Sequence, residues 1–408
     1  MPLRSLLLGL IVAAAVAAAV GLHWDGCPRD DIPCQRTENA ENGTGPVVVG
    51  AAWPWEARKN VLYWEGMQMA VEEVNLAGGV LGRPLSILRM DDHEDVDQGR
   101  QIAQRFGSNP DVVAVIGHLQ SYVTVPAAAV YDLSGLVLIS ATATSNELTA
   151  HNYHRVFRTI FTDDADGKSM AEYALAHGYR RPAIYYSRDE YGRGLANAFE
   201  ETIVEGGGQV ADRRSYDPNA PLNPAGAQQT AEAWVTLRPD AVFLAGQDEP
   251  AGLLVAELRR RGIDAPLLGS DAIGTPGYTE RAGAAAEGTV IAAPFHRDDP
   301  SPQARRFTEA FRRRYNRNPD VAAALAYDAV RVLVEGMKLA NSVAPERVAP
   351  ALHTLTGFPG VTGSLSFDAA GNLAGAPVGK VVVRNGEFHH LTEEDAPASP
   401  APAPPASP

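Results

Sequence analysis

The sequence predicts an α/β protein with two doubly wound parallel-sheet lobes, and three patterns predict it. Short apolar strand signals alternate with helically spaced segments from Val47 onward. The stretch Val112–Thr149 is one complete βαβ unit, whose right-handed crossover makes its strands parallel. After Thr149 the same alternation starts again without repeating the sequence, so two similar lobes are the simplest architecture.

In chain order, VVVGAAW at Val47–Trp53 reads as the first strand. A helix over Val61–Ala77 follows, with Met67, Ala70, Val71 and Val74 on its apolar stripe and Gly78-Gly79 to end it. Leu85–Arg89 is a strand that runs into the acidic loop DDHED, and Gln98–Phe106 is helical. The βαβ unit comes next, with strands at Val112–Ile116 and Leu136–Ser140 around a helix at Val123–Tyr131. In the second half, helices at Met170–His177, Leu195–Val204, Ala227–Leu237 and Ala251–Arg261 alternate with strands at Arg181–Ser187, Val210–Tyr216, Ala241–Ala245 and Pro266–Ser270. The strand TVIAAPF from Thr289 leads to a helix opened by Ser301-Pro302, where proline suits the first turn. Helices at Val321–Ala340 and Val348–Leu355 and a terminal hairpin pair, with Gly-Asn and Asn-Gly turns, complete the fold.

The boundaries expected are residues 1–24 as a signal peptide or membrane anchor and 25–46 as a polar linker. Residues 47–160 with 295–360 form the first lobe, and 161–294 with 361–390 the second. Residues 391–408 form an acidic, then Pro/Ala-rich, disordered tail. The apolar run 6–22 behind Arg4 fits either a cleaved export signal or an uncleaved anchor, so the protein is exported and, if uncleaved, tethered to the membrane. Cys27 and Cys34, the only cysteines, read as a local disulfide of an oxidising compartment, with two free thiols as the alternative.

A formal net charge of −14 argues against a nucleic-acid partner, which would need clustered Lys and Arg. Two cysteines and His23 make no zinc site, and no GxSxG elbow or Cys/His pair is visible. No cofactor is implied. Asp91, Asp92, His93, Glu94 and Asp95 could form an acid–base or metal cluster, but a solvated strand-end loop is the simpler reading.

Parallel neighbouring strands end at one edge, so the loops GHLQSY and ATATSN lie side by side, each running into a helix start. That edge offers the hydroxyls of Ser121, Thr142 and Thr144 and free backbone N–H groups, which suits a carboxylate. Ordinary N-capping is the alternative role for these residues.

The run Gly117–Ser121 (GHLQS) with Ile139–Thr149 (ISATATSNELT) resembles the ligand-site region of type I periplasmic solute-binding proteins, and most of all the branched-chain amino-acid binding group that serves ABC importers. NLAGGVLGRPL at Asn75–Leu85, Asp91-Asp92 and DEYGRG at Asp189–Gly194 follow the order of that family. The resemblance covers Val47 to Phe388 and implies two lobes joined by a three-crossover hinge that close on a ligand. It assigns carboxylate binding to Ser121, a backbone contact to Thr142, a hydroxyl to Thr144, a pocket tyrosine to Tyr191, and the acid facing the ligand's ammonium to Asp271. Asp271 stands where the family has a longer Glu, with capping of the turn before Gly274 as its other role. Gln247 stands where a tyrosine is expected and makes that wall more polar. Trp53, beside Pro54 and Trp55, is expected either to wall the cleft or to pack against a helix. The implied function is capture of a small amino acid or related amide-like solute for delivery to an ABC permease. A sensor of the same fold is the alternative, and an enzyme using the Asp91–Asp95 acids a more distant one.

Overall fold

The computed structural model describes residues 27–391. The segment read as a signal or anchor, and the tail from residue 392, lie outside them. The stretch expected to be a linker instead carries a helix, α1 (Ile32–Asn42). Asp31 caps it by accepting from the Cys34 N–H at 3.0 Å, and Cys34 is bonded to Cys27. The Arg36 guanidinium is fully buried. It donates to the carbonyls of Val112 (2.7 Å), Ser134 (2.6 Å), Gly107 (2.8 Å) and Asn109 (3.3 Å). Polar composition had suggested a linker, but one cation satisfies the carbonyl ends of two helices and the start of a strand.

The first lobe is laid on five strands, β1 (Val47–Trp53), β2 (Leu85–Asp91), β3 (Val112–Gly117), β4 (Val137–Ser140) and β5 (Val156–Arg158). Their spatial order is β2-β1-β3-β4-β5, with every pair parallel. The connecting helices are α2 (Tyr63–Leu76), α3 (Val96–Gly107) and α4 (Ser121–Leu133). All residues of β3 and β4 are buried, as expected of a parallel sheet covered on both faces.

The chain crosses to the second lobe after β5. There α5 (Asp163–Ala176), β6 (Ala183–Ser187), α6 (Glu190–Glu205), β7 (Asp212–Tyr216), α7 (Pro224–Leu237), β8 (Val242–Ala245), α8 (Asp248–Arg260), β9 (Leu267–Gly269), α9 (Pro276–Ala282) and β10 (Val290–Ala292) continue the alternation. The chain then returns to the first lobe as α10 (Pro302–Tyr315), α11 (Val321–Ala340) and α12 (Pro345–His353). α11 lies so close to α2 that a Cβ on Gly66 would stand 2.0 Å from the Ala323 carbonyl oxygen, so only glycine permits this crossing.

The small hairpin of β11 (Phe358–Pro359) and β12 (Ser364–Leu365) follows. It is held by Asp328 of α11, which accepts from the N–H groups of Val361 and Thr362, both at 2.9 Å. Residues 361–372 therefore belong with the first lobe rather than the second. Arg158 N–H donates to Gly371 O at 2.9 Å, and the Thr149 hydroxyl to Asn372 at 2.7 Å. The third crossover comes after them, and β13 (Lys380–Arg384) and β14 (Glu387–His390) add an antiparallel edge to the second sheet. Its order is β14-β13-β10-β9-β8-β6-β7. The β13–β14 turn is Asn385-Gly386 with φ of 52° and 76°, the left-handed pair a tight hairpin requires.

Each sheet has one point where strand order reverses, between β1 and β3 in the first lobe and between β6 and β8 in the second. Loops splay apart at the carboxyl ends of such points and leave a crevice. No helix among the described residues is long and apolar enough to cross a membrane.

Candidate functional site

The site is built from loops at those carboxyl edges. Gly117 ends β3 with φ of 142°, and a Cβ there would stand 2.1 Å from the Ala52 carbonyl oxygen, so glycine is needed where the chain turns toward Ser121. The next residue, His118, is fully buried. Its Nδ1 lies 2.6 Å from Asp92 Oδ2 and its Nε2 3.0 Å from the Tyr131 hydroxyl. Burial, and then Asp92, raise the Tyr131 pKa well above that of a free phenol, so the hydroxyl that meets Nε2 keeps its proton. This fixes the loop from beneath.

Ser121 is the first residue of α4 but does not cap it. That position belongs to Gln120, and Ser121 Oγ instead accepts the Ser145 N–H at 3.3 Å. The Thr142 hydroxyl lies 3.0 Å and 3.1 Å from the carbonyl oxygens of His118 and Leu119. The two loops are thereby tied together, and the Thr142 hydroxyl is occupied in the tie. Thr144 is buried, and its carbonyl accepts the Asp163 N–H at 2.9 Å.

In the second lobe, Tyr191 and Asp271 form a pair. The Tyr191 hydroxyl donates to Asp271 Oδ1 at 2.6 Å, lies 3.0 Å from Ser270 Oγ and accepts the Ala272 N–H at 3.2 Å. Asp271 does not cap the turn before Gly274 with its side chain; its backbone carbonyl closes that turn. Burial, then the carboxylates of Asp271 and Asp166, hold the Tyr191 hydroxyl protonated. Gln247 is the N-cap residue just before α8 and is held by Tyr216, whose hydroxyl donates to Gln247 Oε1 at 2.8 Å and accepts its backbone N–H at 2.7 Å. No hydrogen bond joins Gln247 to the Tyr191–Asp271 pair.

The two edges face one another. Glu147 beside the first-lobe site helps to raise the pKa of Glu190 on the second, after burial. Tyr122 next to Ser121 feels Asp189 across the gap. Asp163 and Asp166, in the first turns of α5, sit between the edges, and the Asp271 N–H donates to Asp166 Oδ2 at 3.2 Å. These two acids were not anticipated. TDDADG reads as an ordinary capped helix start, and Thr162 does cap α5 by accepting the Ala165 N–H.

Asp163 is 1% exposed, with neither carboxylate oxygen hydrogen-bonded. Burial, then Asp271, raise its pKa well above the usual aspartate range, while the nearby Thr144 hydroxyl and Arg158 lower it. Asp166 is raised for the same reasons, burial first and Asp271 second. Asp271, partly exposed, is raised by burial against the pull of Tyr191.

Trp53 takes a different place. Its ring is 1% exposed and stacked on Tyr63, with ring centroids 3.7 Å apart. Trp55 and Trp64 meet edge to face at 5.9 Å beneath Arg89. Trp53 thus packs the first lobe, the structural one of its two expected roles. The DDHED acids are also structurally engaged. Asp91 accepts from the N–H groups of Glu56 and His93, Asp92 holds His118, Glu94 pairs with Arg58 at 2.6 Å, and Asp95 caps α3.

The profile of the family described as "Periplasmic binding protein" matches residues 60–387. The chain is 32% identical over 313 residues to the leucine-, isoleucine-, valine-, threonine- and alanine-binding protein of Pseudomonas aeruginosa, covering 76% of this chain and 81% of that one. It is 28% identical to the leucine-specific-binding protein of Salmonella typhimurium, over 90% of this chain and 94% of that one. Among solved structures, the ABC transporter substrate-binding protein of Desulfitobacterium hafniense in complex with Leu superposes with a TM-score of 0.76 at 34% identity, covering 85% of this chain and all of that one.

Proposed function

The chain belongs to the periplasmic binding protein family, and from that premise we propose that it captures a free α-amino acid between its lobes and delivers it to an ABC permease. The observation that carries this reading is the convergence of opposite polarities across the crevice. On the first-lobe edge stand the start of α4, Ser121 and the Thr144 loop, a set of hydroxyls and N–H groups suited to a carboxylate. Opposite stands the Tyr191–Asp271 pair, with Asp163 between the two edges against the Thr144 loop, carboxylates suited to an ammonium. An α-amino acid carries both groups on one carbon, so it spans the two sets only when the lobes close.

In this reading Ser121 and Thr144 hold the carboxylate, Thr142 fixes the loop that presents them, and Asp163 and Asp271 hold the ammonium. Gln247 and Tyr216 face the side chain with an amide and a phenol. That wall favours a small or polar side chain over a large aliphatic one, and extends to amide-like solutes. Closure excludes water and strengthens each polar contact. Residues 6–22 would direct export to the periplasm or hold the protein at the membrane.

The test is calorimetry with L-leucine, L-threonine, L-alanine and L-glutamine, with urea and acetate as probes of each half of the site. Ser121→Ala and Asp271→Ala should each weaken binding of the best amino acid by about 1–3 kcal/mol, the usual effect of leaving a buried partner unpaired. Unchanged affinity in both variants would remove the site from this edge.

A further inference from the structure

The proposed amino-acid site holds more acid than one ammonium requires. Asp163, Asp166 and Asp271 meet where α5 passes the end of β9, with Asp163 and Asp166 only 1% and 0% exposed. Both oxygens of Asp163 and Oδ1 of Asp166 are buried without a hydrogen-bond partner. The charged groups facing them are Arg158 on β5, Lys380 on β13 and Asp164 on α5, with the Tyr191 hydroxyl on α6; Glu172 acts on Lys380 from the outer side. Neither cation is bonded to the cluster. Arg158 donates to the Ala143 carbonyl at 3.4 Å and the Thr149 hydroxyl at 2.9 Å, and Lys380 to Ser169 Oγ at 2.6 Å.

Carboxylates packed together away from water do not all ionise, because each charge disfavours the next. With two cations nearby and three acids, full ionisation leaves one uncompensated negative charge in a shielded place. The unpartnered oxygens of Asp163 are where that charge would be felt most.

We propose that the Asp163–Asp166–Asp271 cluster carries one proton in the ligand-free protein, and that the ligand's ammonium group displaces it on binding. The inference rests on the amino-acid reading of the site. The exchange balances: the ammonium keeps its three hydrogens and replaces the released proton's charge within the acid cluster, the cluster carboxyl gives its proton to the buffer, and the complex, which also holds the ligand's carboxylate, is one unit more negative than the ligand-free protein. Affinity therefore rises with pH for as long as the cluster remains protonated in the ligand-free protein, approaching about tenfold per pH unit for a single coupled proton.

The experiment is titration calorimetry of the full chain with L-leucine and L-threonine in phosphate and in Tris, whose ionisation heats differ, between about pH 6 and about pH 8. Infrared spectra of the ligand-free protein accompany it. The expected result is an apparent enthalpy that differs between buffers by about one proton's worth of ionisation heat, with a protonated-carboxyl C=O band that disappears on binding. That band should also be lost in Asp166→Asn, which removes one of the three competing charges and should flatten the pH dependence. Buffer-independent enthalpy and pH-independent affinity with no such band would overturn the exchange while leaving the amino-acid site standing. Absence of heat with every α-amino acid tested would overturn the reading of the site, and the exchange with it. The buffer comparison needs no variant, so a poorly folding Asp166→Asn does not remove the test.

Discussion

Replacing Asp163 by asparagine should move stability and binding in opposite directions. The carboxylate is buried, and neither oxygen has a hydrogen-bond partner. Burial first, then Asp271, raise its pKa well above the usual range. A raised folded-state pKa means that the native protein holds this proton more tightly than the unfolded chain does. The stability so contributed is complete below the unfolded value of about 3.9 and is lost as pH rises toward the folded value, at about 1.4 kcal/mol per pH unit. Asparagine has nothing to ionise and escapes that loss, although its own amide groups find few partners in the same place. Set against one unmade hydrogen bond of about 1 kcal/mol, escape from that ionisation cost should leave the variant more stable than the wild type near neutral pH and no more stable in acid. At about 2.1 cal/mol/K of unfolding entropy per residue, each kcal/mol gained by a chain of this size raises the melting temperature by about 1 °C, so the rise should be small but resolvable. Binding should suffer, because removing one partner of a buried charge pair costs about 2–5 kcal/mol. The assay is differential scanning fluorimetry from acid to mildly alkaline pH, with and without L-leucine. The wild type should melt lower than the variant at neutral pH, converge with it in acid, and alone respond to the amino acid. A variant less stable than wild type at every pH, or one stabilised equally by L-leucine, would refute the account of a desolvated carboxylate awaiting a cation.

Other perturbations separate the scaffold from the site. Arg36→Met would leave buried carbonyls of Val112, Gly107 and Ser134 without their donor. It should cost about 3–5 kcal/mol in denaturant unfolding, as for a broken buried charge network, with amino-acid affinity within about twofold of wild type. Gly66→Ala would place a methyl 2.0 Å from the Ala323 carbonyl oxygen. Forcing α2 and α11 apart should cost about 3 kcal/mol or more, read as a lower melting temperature. Thr142→Val should weaken binding about tenfold in calorimetry by untying the loop from His118 and Leu119, and Thr142→Ser should restore it.

The parts of the molecule visible in the sequence are those governed by repeated, local rules. Strand and helix alternation carried the two lobes, and the ends of β3, β4, β6, β8 and β9 put Ser121, Thr144, Tyr191, Gln247 and Asp271 on two facing edges. The polar segment around Arg36 misled because its burial depends on four carbonyls from three distant elements, and no periodicity records that. Trp53 had two admissible roles, and the choice turned on Tyr63, ten residues away, presenting its ring face.

The two acids missed in α5 expose a deeper limit. In an isolated helix, acids in the first turn favour the dipole and face water, so Asp163 and Asp166 need no other reason to exist. Their cost arises only when the second lobe folds over them and brings Asp271 within reach. Buried carboxylates that cost stability where they stand are candidates for a functional role, and a site that takes up an opposite charge is one place where such a cost is returned. In the proposed reading the lobe-crossing segment serves as both hinge and counter-charge: its backbone is tied to the first-lobe edge by the Asp163 N–H and the Thr144 carbonyl, and its carboxylates would meet the ligand's ammonium. On that reading, coupling closure to charge neutralisation would make the closed state favourable chiefly when an ammonium occupies it, which is the discrimination a carrier needs between loaded and unloaded forms.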